Sequence, residues 1–284
     1  MADKLSRLEP NGLITPEVGA WGERKYRLIA TYAAMFSTSM KDKWECRVYL
    51  DLFASSGRAK LEGTSQIVPG SPLLALMLDT KFDQYVFCEK DEERMEALKV
   101  RVERTAPDLK PAFISADANE AVDQILSVLP APRRGFRVLG FCFADPYKLG
   151  NLRFETIRRL AKRYMDFLVL IPSYMDAHRN RGHYVRETST AVEHFLGNAG
   201  WRKDWAKAER KGQDFGAFVA DAFGRQMARL DFLYEGLADM VHIRSTDNLP
   251  LYHLGFFSRN KLGAKFWREA RKYSKDQMDL FPET

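Results

Sequence analysis

Apolar residues run unbroken through Val48–Leu50 and resume at Leu52–Ala54, around Asp51, before small residues at Ser55, Ser56 and Gly57. A strand covered on both faces reads as such a run, whereas an amphipathic helix repeats its apolar positions every three to four residues. The second pattern precedes the first: Trp21, Leu28, Ile29, Tyr32, Ala33 and Phe36 predict a long helix over Glu17–Phe36. Strands are predicted at Cys46–Phe53, Gln84–Cys88, Ala112–Ser115, Arg137–Phe143 and Asp166–Ile171, with helices at Glu92–Arg104, Asn119–Leu129 and Arg153–Arg163 between them. Ala54–Pro69 reads as a long glycine-containing loop, and Gly70-Ser71-Pro72 opens a helix, since proline suits the first helical position.

Strict alternation of strand and helix predicts a parallel α/β sheet. The alternation stops at Pro172. Residues 173–235 are polar, basic and helical, with helices expected at Tyr184–Leu196 and Phe215–Leu233. Two strands then follow closely, Met240–Ser245 and Leu251–Ser258, and a helix over Leu262–Tyr273 precedes a tail expected to fray from Gln277. A closing hairpin adds an antiparallel strand to an otherwise parallel sheet. The expected fold class is therefore α/β, a Rossmann-like class I methyltransferase fold. An N-terminal helical extension covers 1–45, the core 46–172 and 236–284, and a helical insert 173–235.

Ligands of such sheets bind beyond the carboxyl ends of the strands, so the strand-end residues carry the candidate chemistry. Asp51, Phe53, Ala54, Ser55 and Gly57 end the first strand and would pass the amino-acid end of S-adenosylmethionine (SAM). Glu89 ends the second strand, where a carboxylate accepts ribose hydroxyls. Asp117 follows the third and would meet the adenine amino group. Glu89 or Asp117 alone is better read as a solvated loop carboxylate, and Asp51 alone as equally a capping or ion-paired residue; their succession in this order points to a cofactor site. Asp145-Pro146-Tyr147 ends the fourth strand. There a carboxylate and the next carbonyl accept an exocyclic amine while the aromatic stacks on its ring, which makes these three the catalytic candidates; the alternative is a plain turn.

Composition narrows the classes. The 284 residues are 45% hydrophobic and 29% charged, ordinary for a globular protein. No apolar run is long enough to cross a bilayer, and residues 1–13 lack the basic start and apolar stretch of a signal peptide, so the expectation is a cytoplasmic protein without membrane contact. Cys46, Cys88 and Cys142 are far apart and read as buried thiols; no metal site is expected. His178 and His183 read as loop residues. The formal charge of +6 is concentrated in the second half, including Arg179–Arg186 and Arg202–Lys211, which fits a nucleic-acid partner. Trp201 and Trp205 lie within the second cluster and either stack on bases or are buried.

A family resemblance rests on Trp21-x-x-x-Lys25, Tyr49-Leu-Asp51-x-Phe53-Ala54, Gly70-Ser71-Pro72, Phe87-x-Glu89-Lys90, Phe143-x-Asp145-Pro146-Tyr147 and Phe256–Lys261. Together these resemble the bacterial three-Cys-motif partner protein family, TcmP, over most of the chain. The resemblance implies a methyltransferase-like fold and a cysteine-motif partner protein, without naming a substrate. The chain departs from that pattern at Ser55, where glycine is usual; a serine there is strained if its φ is positive. Two further classes stay open: a non-catalytic adaptor for nucleic acid or the partner, and a metal-dependent nuclease using Asp51, Glu89 and Asp145.

Overall fold

The computed structural model describes residues 7–245 and 247–279, with side chains described through Lys272. Seven strands form the central sheet: β2 (Cys46–Asp51), β5 (Gln84–Glu89), β6 (Ala112–Ser115), β7 (Val138–Ala144), β8 (Met165–Ile171), β9 (Val241–Arg244) and β10 (Pro250–Phe257). Their order is β6-β5-β2-β7-β8-β10-β9, with β10 antiparallel to both β8 and β9 and the other pairs parallel. This is the expected Rossmann-like class I methyltransferase arrangement. Strand order reverses between β2 and β7, so a crevice opens above their carboxyl ends.

Both sheet faces are covered, which explains the unbroken apolar runs: every residue of β2 and β8 is buried. One face packs against α1 (Gly22–Met40), α2 (Ser71–Leu76), α3 (Glu92–Thr105) and α10 (Lys261–Asp279). Tyr32 of α1 lies at its centre, 4.5 Å from the Phe256 ring and 5.0 Å from that of Phe141. The opposite face packs against α4 (Val122–Val128), α5 (Phe154–Leu160), α6 (Arg181–Tyr184), α7 (Ala191–Leu196), α8 (Trp201–Arg210) and α9 (Phe215–Ala228). The helices after Pro172 thus share one apolar core with the sheet: Phe223 of α9 contacts both Phe154 and Phe257.

Five expectations are corrected. The region read as a loop over Ala54–Pro69 contains β3 (Arg58–Leu61) and β4 (Ile67–Pro69), paired antiparallel, and β1 (Glu17–Val18) adds to β3 in parallel. The helix expected from Glu17 therefore starts at Gly22. The helix expected over Tyr184–Leu196 divides into α6 and α7, and α9 stops at Ala228, with Asp231 in the left-handed region at φ 66°. The tail expected from Gln277 is helical to Asp279; its remainder, 280–284, lies outside the described residues. All three cysteines are free and buried. Among the described residues no helix is long and apolar enough to cross a membrane.

Candidate active site

Above the carboxyl ends of β2, β5, β6 and β7 lies a cleft of about 690 Å³, lined by Phe53, Ser55, Glu89, Asp117, Asp145, Pro146 and Tyr147 among others. Residues from four separate strand ends therefore share one cavity. The remaining predicted residues lie below it. Asp51 and Ala54 are buried, and Gly57 (φ 78°) leaves no room for a side chain, since a Cβ there would meet Leu98 at 2.7 Å.

One half of the cleft is built by short loops. Ser55 adopts φ 52°, so the serine does take the strained left-handed conformation that glycine would adopt freely. That conformation turns its N–H onto Glu89 Oε2 at 2.9 Å, while the Asp91 N–H donates to Oε1 at 2.9 Å. Each Glu89 oxygen is thus held by one backbone donor and keeps further acceptor capacity. Asp117 is oriented by Asn119, whose N–H and Nδ2 both donate to Oδ1 at 2.9 Å; Asn119 in turn binds the Asn151 carbonyl and the Arg153 N–H, tying the β6 loop to the β7 loop. Beneath them Asp51 accepts from the Phe53 N–H at 3.1 Å. Burial raises the Asp51 carboxyl to about 7 despite hydrogen bonds from Ser71 and Phe53 that favour its charge.

The other half is assembled from distant segments. Lys25 of α1 is 4% exposed and donates to Asp145 Oδ2 at 2.5 Å; the Asp145 side chain is 21% exposed. The Lys25 ammonium also lies 4.8 Å from the Tyr26 ring and 5.7 Å from that of Trp21. Burial alone would lower the Lys25 pKa, but the charge and hydrogen bond of Asp145, with Tyr26 and Asp51, leave it above its ordinary value. Tyr252 of β10 closes this wall, its ring 5.0 Å from Trp21, edge to face. Tyr147 stands 83% exposed at the rim. Its loop is anchored by buried Asp176, which accepts from the Leu149 N–H at 2.7 Å and from Asn180 and Tyr184.

A strap completes the cleft. Pro16, Glu17, Val18 and Gly19 line it, with Gly19 so close to Trp21 that a Cβ would run into the indole nitrogen. The buried Arg101 guanidinium of α3 donates to the carbonyls of Leu13, Ile14 and Ser56, to Asn11 Oδ1 and to Thr15 Oγ1, pinning the strap to the β2 loop. Lys25, Tyr252 and Arg101 were not among the predicted site residues. Lys25 had a signal, its fixed spacing from Trp21; Arg101 resembled any helix-surface arginine.

Other candidates sit apart from the cleft. Trp201 and Trp205 are buried, Trp205 packing 4.9 Å from Phe215, so neither ring is a platform for bases. His178 bonds Asp214 at 2.6 Å. Among the described residues no three His, Cys, Asp or Glu gather as a metal site, and Asp51, Glu89 and Asp145 are each held by different partners.

No family model matches the sequence, and no curated protein matches it. Solved structures do match. Protein LPL1258 from Legionella pneumophila is 12% identical, with TM-score 0.50 over 88% of this chain and 91% of that one. The O-methyltransferase TomG from Streptomyces achromogenes, solved with SAM, is 14% identical, with TM-score 0.44 over 83% and 80%. The magnesium protoporphyrin IX methyltransferase from Synechocystis, also with bound SAM, is 10% identical, with TM-score 0.40 over 83% and 80%. At such identity the Legionella likeness extends to the fold and no further. The sheet topology is that of a Rossmann-like class I methyltransferase fold. The resemblance to three-Cys-motif partner proteins rests on the motif residues alone.

Proposed function

We propose that the chain binds SAM and methylates an amine on a nucleic acid, acting with a cysteine-motif partner protein. The observation that carries this reading is the Glu89 carboxylate, held at both oxygens by the Ser55 and Asp91 N–H groups and opening on the same cleft as Asp117 and Asp145-Pro146-Tyr147. The residues present fit the cofactor. Glu89 keeps acceptor capacity for ribose hydroxyls, Asp117 lines the adenine end, and Phe53 and Ser55 line the methionine end above Asp51. When bound, SAM supplies a methyl group on a sulfonium, already a good leaving group. The chain's own contribution is alignment: Asp145 and the Pro146 carbonyl accept the amine hydrogens, and Tyr147 stacks on the ring that bears them.

The basic segments Arg179–Arg186 and Arg202–Lys211 support a nucleic-acid acceptor, whose binding would weaken steeply with salt. The partner protein rests on the family resemblance. A non-catalytic adaptor has one observation in its favour: Ser55 is strained where an open cofactor loop would be served better by glycine.

Calorimetric titration with SAM separates the two. Micromolar binding that disappears in Glu89→Ala is the expected result. Absence of heat, with and without the cysteine-motif protein, would overturn the methyltransferase reading.

A further inference from the structure

Exposed aromatic surface and free cations coincide at the edge of the sheet opposite the cleft. β2, β7 and β8 lie side by side and run parallel, so the segments leading into them, 41–45, 131–137 and 162–164, emerge next to one another. β8 is seven residues long, which puts this edge about 23 Å from the cleft at roughly 3.3 Å per residue.

Contacts join the three segments. The Trp44 and Tyr164 rings stack, with centroids 5.2 Å apart and planes 23° from parallel. The Arg137 guanidinium lies 5.4 Å from the Trp44 ring and donates to the Lys43 carbonyl, while Glu45 neutralises its charge at 3.0 Å. Trp44 is half-buried and Tyr164 is 43% exposed, so the group ends on an open ring. Around it stand Lys41, Lys43, Arg133, Arg134 and Lys162, all exposed and none in an ion pair among the described residues. Like charges gathered on one face repel, and besides Glu45 these segments contain one acid, Asp42.

The basic segments after Pro172 differ. Arg181 is paired with Glu209, Arg202 donates to the carbonyls of Arg186 and Ser189, and Trp201 and Trp205 are buried. Their indoles are covered and some of their arginines are spent on internal contacts. At the amino-terminal edge the cations are free and a ring is open. That combination matches a polymer alternating negative charge with flat rings, which is single-stranded nucleic acid. An acidic peptide brings the charge without the rings, and a duplex keeps its ring faces inside the stack.

We propose that the amino-terminal edge of the sheet binds single-stranded nucleic acid: a base stacks on Tyr164, backed by Trp44, and phosphates lie along Lys43, Arg134 and Lys162. This rests on the reading above for the class of partner and goes beyond it by adding a contact surface remote from methyl transfer. The surface needs neither SAM nor the cleft.

The test titrates the full chain with a fluorescent thymine-only oligonucleotide, followed by anisotropy over a series of salt concentrations. Thymine carries no exocyclic amine, so the strand reports on this surface and not on the amine site of the cleft. Tyr164→Ala is expected to weaken binding about tenfold, the worth of one stacked base. Tyr164→Trp keeps a ring and should hold the affinity within about twofold of wild type. Lys43→Ser with Arg134→Ser should flatten the slope of log affinity against log salt by about 1.4, two phosphate contacts at about 0.7 each. If Tyr164→Ala does not fold, the charge variant still decides, since both of its side chains are exposed. Equal affinity in Tyr164→Ala, an unchanged salt slope in the double variant, or no strand binding by wild type would each overturn the proposal. So would competition by charge-matched polyglutamate as strong as that by unlabelled strand, which would assign the face to an acidic protein. SAM titration of the same samples keeps the readings apart. A failure here with SAM binding intact leaves the methyltransferase reading standing, and absence of SAM binding leaves this surface untouched.

Discussion

The two halves of the cleft hold their carboxylates by opposite means. Glu89 and Asp117 are fixed by neighbouring backbone and by one asparagine, within short strand-end loops. Asp145 is fixed by a buried ammonium from a helix 120 residues earlier in the chain. Neutral backbone donors restrain a carboxylate at little risk, because each is a modest net interaction. A buried ion pair is a larger commitment: intact it is near break-even, but losing one partner strands a charge away from water. The Glu89 half should therefore tolerate change gradually, and the Asp145 half should fail sharply.

Removing Asp145 exposes that difference most strongly. Asp145→Ala leaves the Lys25 ammonium without its partner and should cost about 3–5 kcal/mol in chemical denaturation. A double variant, Asp145→Asn with Lys25→Met, should recover most of it; equal losses in the single and double variants would deny the pair its role.

Asp51, beneath both halves, sharpens the comparison through pH. Its carboxyl titrates at about 7 in the fold against 3.8 ordinarily. The folded state thus holds this proton more tightly than the unfolded chain, so the contribution to stability is full below the unfolded value and is lost as pH rises through about 7. Stability should decline across that window by on the order of 4 kcal/mol, a slope that Asp51→Asn flattens. Asp166, raised by burial to about 6, adds a slope of the same sign that Asp51→Asn leaves in place.

Glu89→Ala tests the Glu89 half and, with it, the proposed cofactor role. SAM affinity should fall at least about tenfold, with a stability loss near 1 kcal/mol from the orphaned Ser55 and Asp91 donors. A loss of stability as large as that of Asp145→Ala would erase the contrast. Smallest of all, Ser55→Gly should raise stability by about 0.5–1 kcal/mol, as relief of the left-handed strain outweighs the added chain entropy of glycine. A lower melting temperature would mean the serine side chain makes contacts that offset its strain.

What was legible in the sequence follows the same division. The strands of the sheet were readable because burial on both faces leaves a continuous apolar run; Ala112–Ser115 was placed residue for residue, and the others shifted by one or two. The strand-end acids were readable because a parallel sheet delivers them to one edge. The β3–β4 hairpin was missed because Arg58–Leu61 is only four residues of alternating burial, too short to distinguish from loop. The Asp145 half was the least legible. Nothing local pairs Lys25 with Asp145, or brings Tyr252 against Trp21; those contacts exist only once α1 and β10 are docked on the sheet.

That β10 enters the sheet between β8 and the earlier-made β9 has a consequence for biosynthesis. As the polypeptide leaves the ribosome, β8 waits as an uncovered edge, seven residues that are all buried in the finished fold. β9 cannot shield that edge in its native place, because among the described residues its only sheet neighbour is β10. The nascent domain therefore stays open, and prone to chaperone capture, until residues 250–257 have emerged. Tyr252 rides on that same late strand, so the cleft gains its last wall at the moment the edge is sealed.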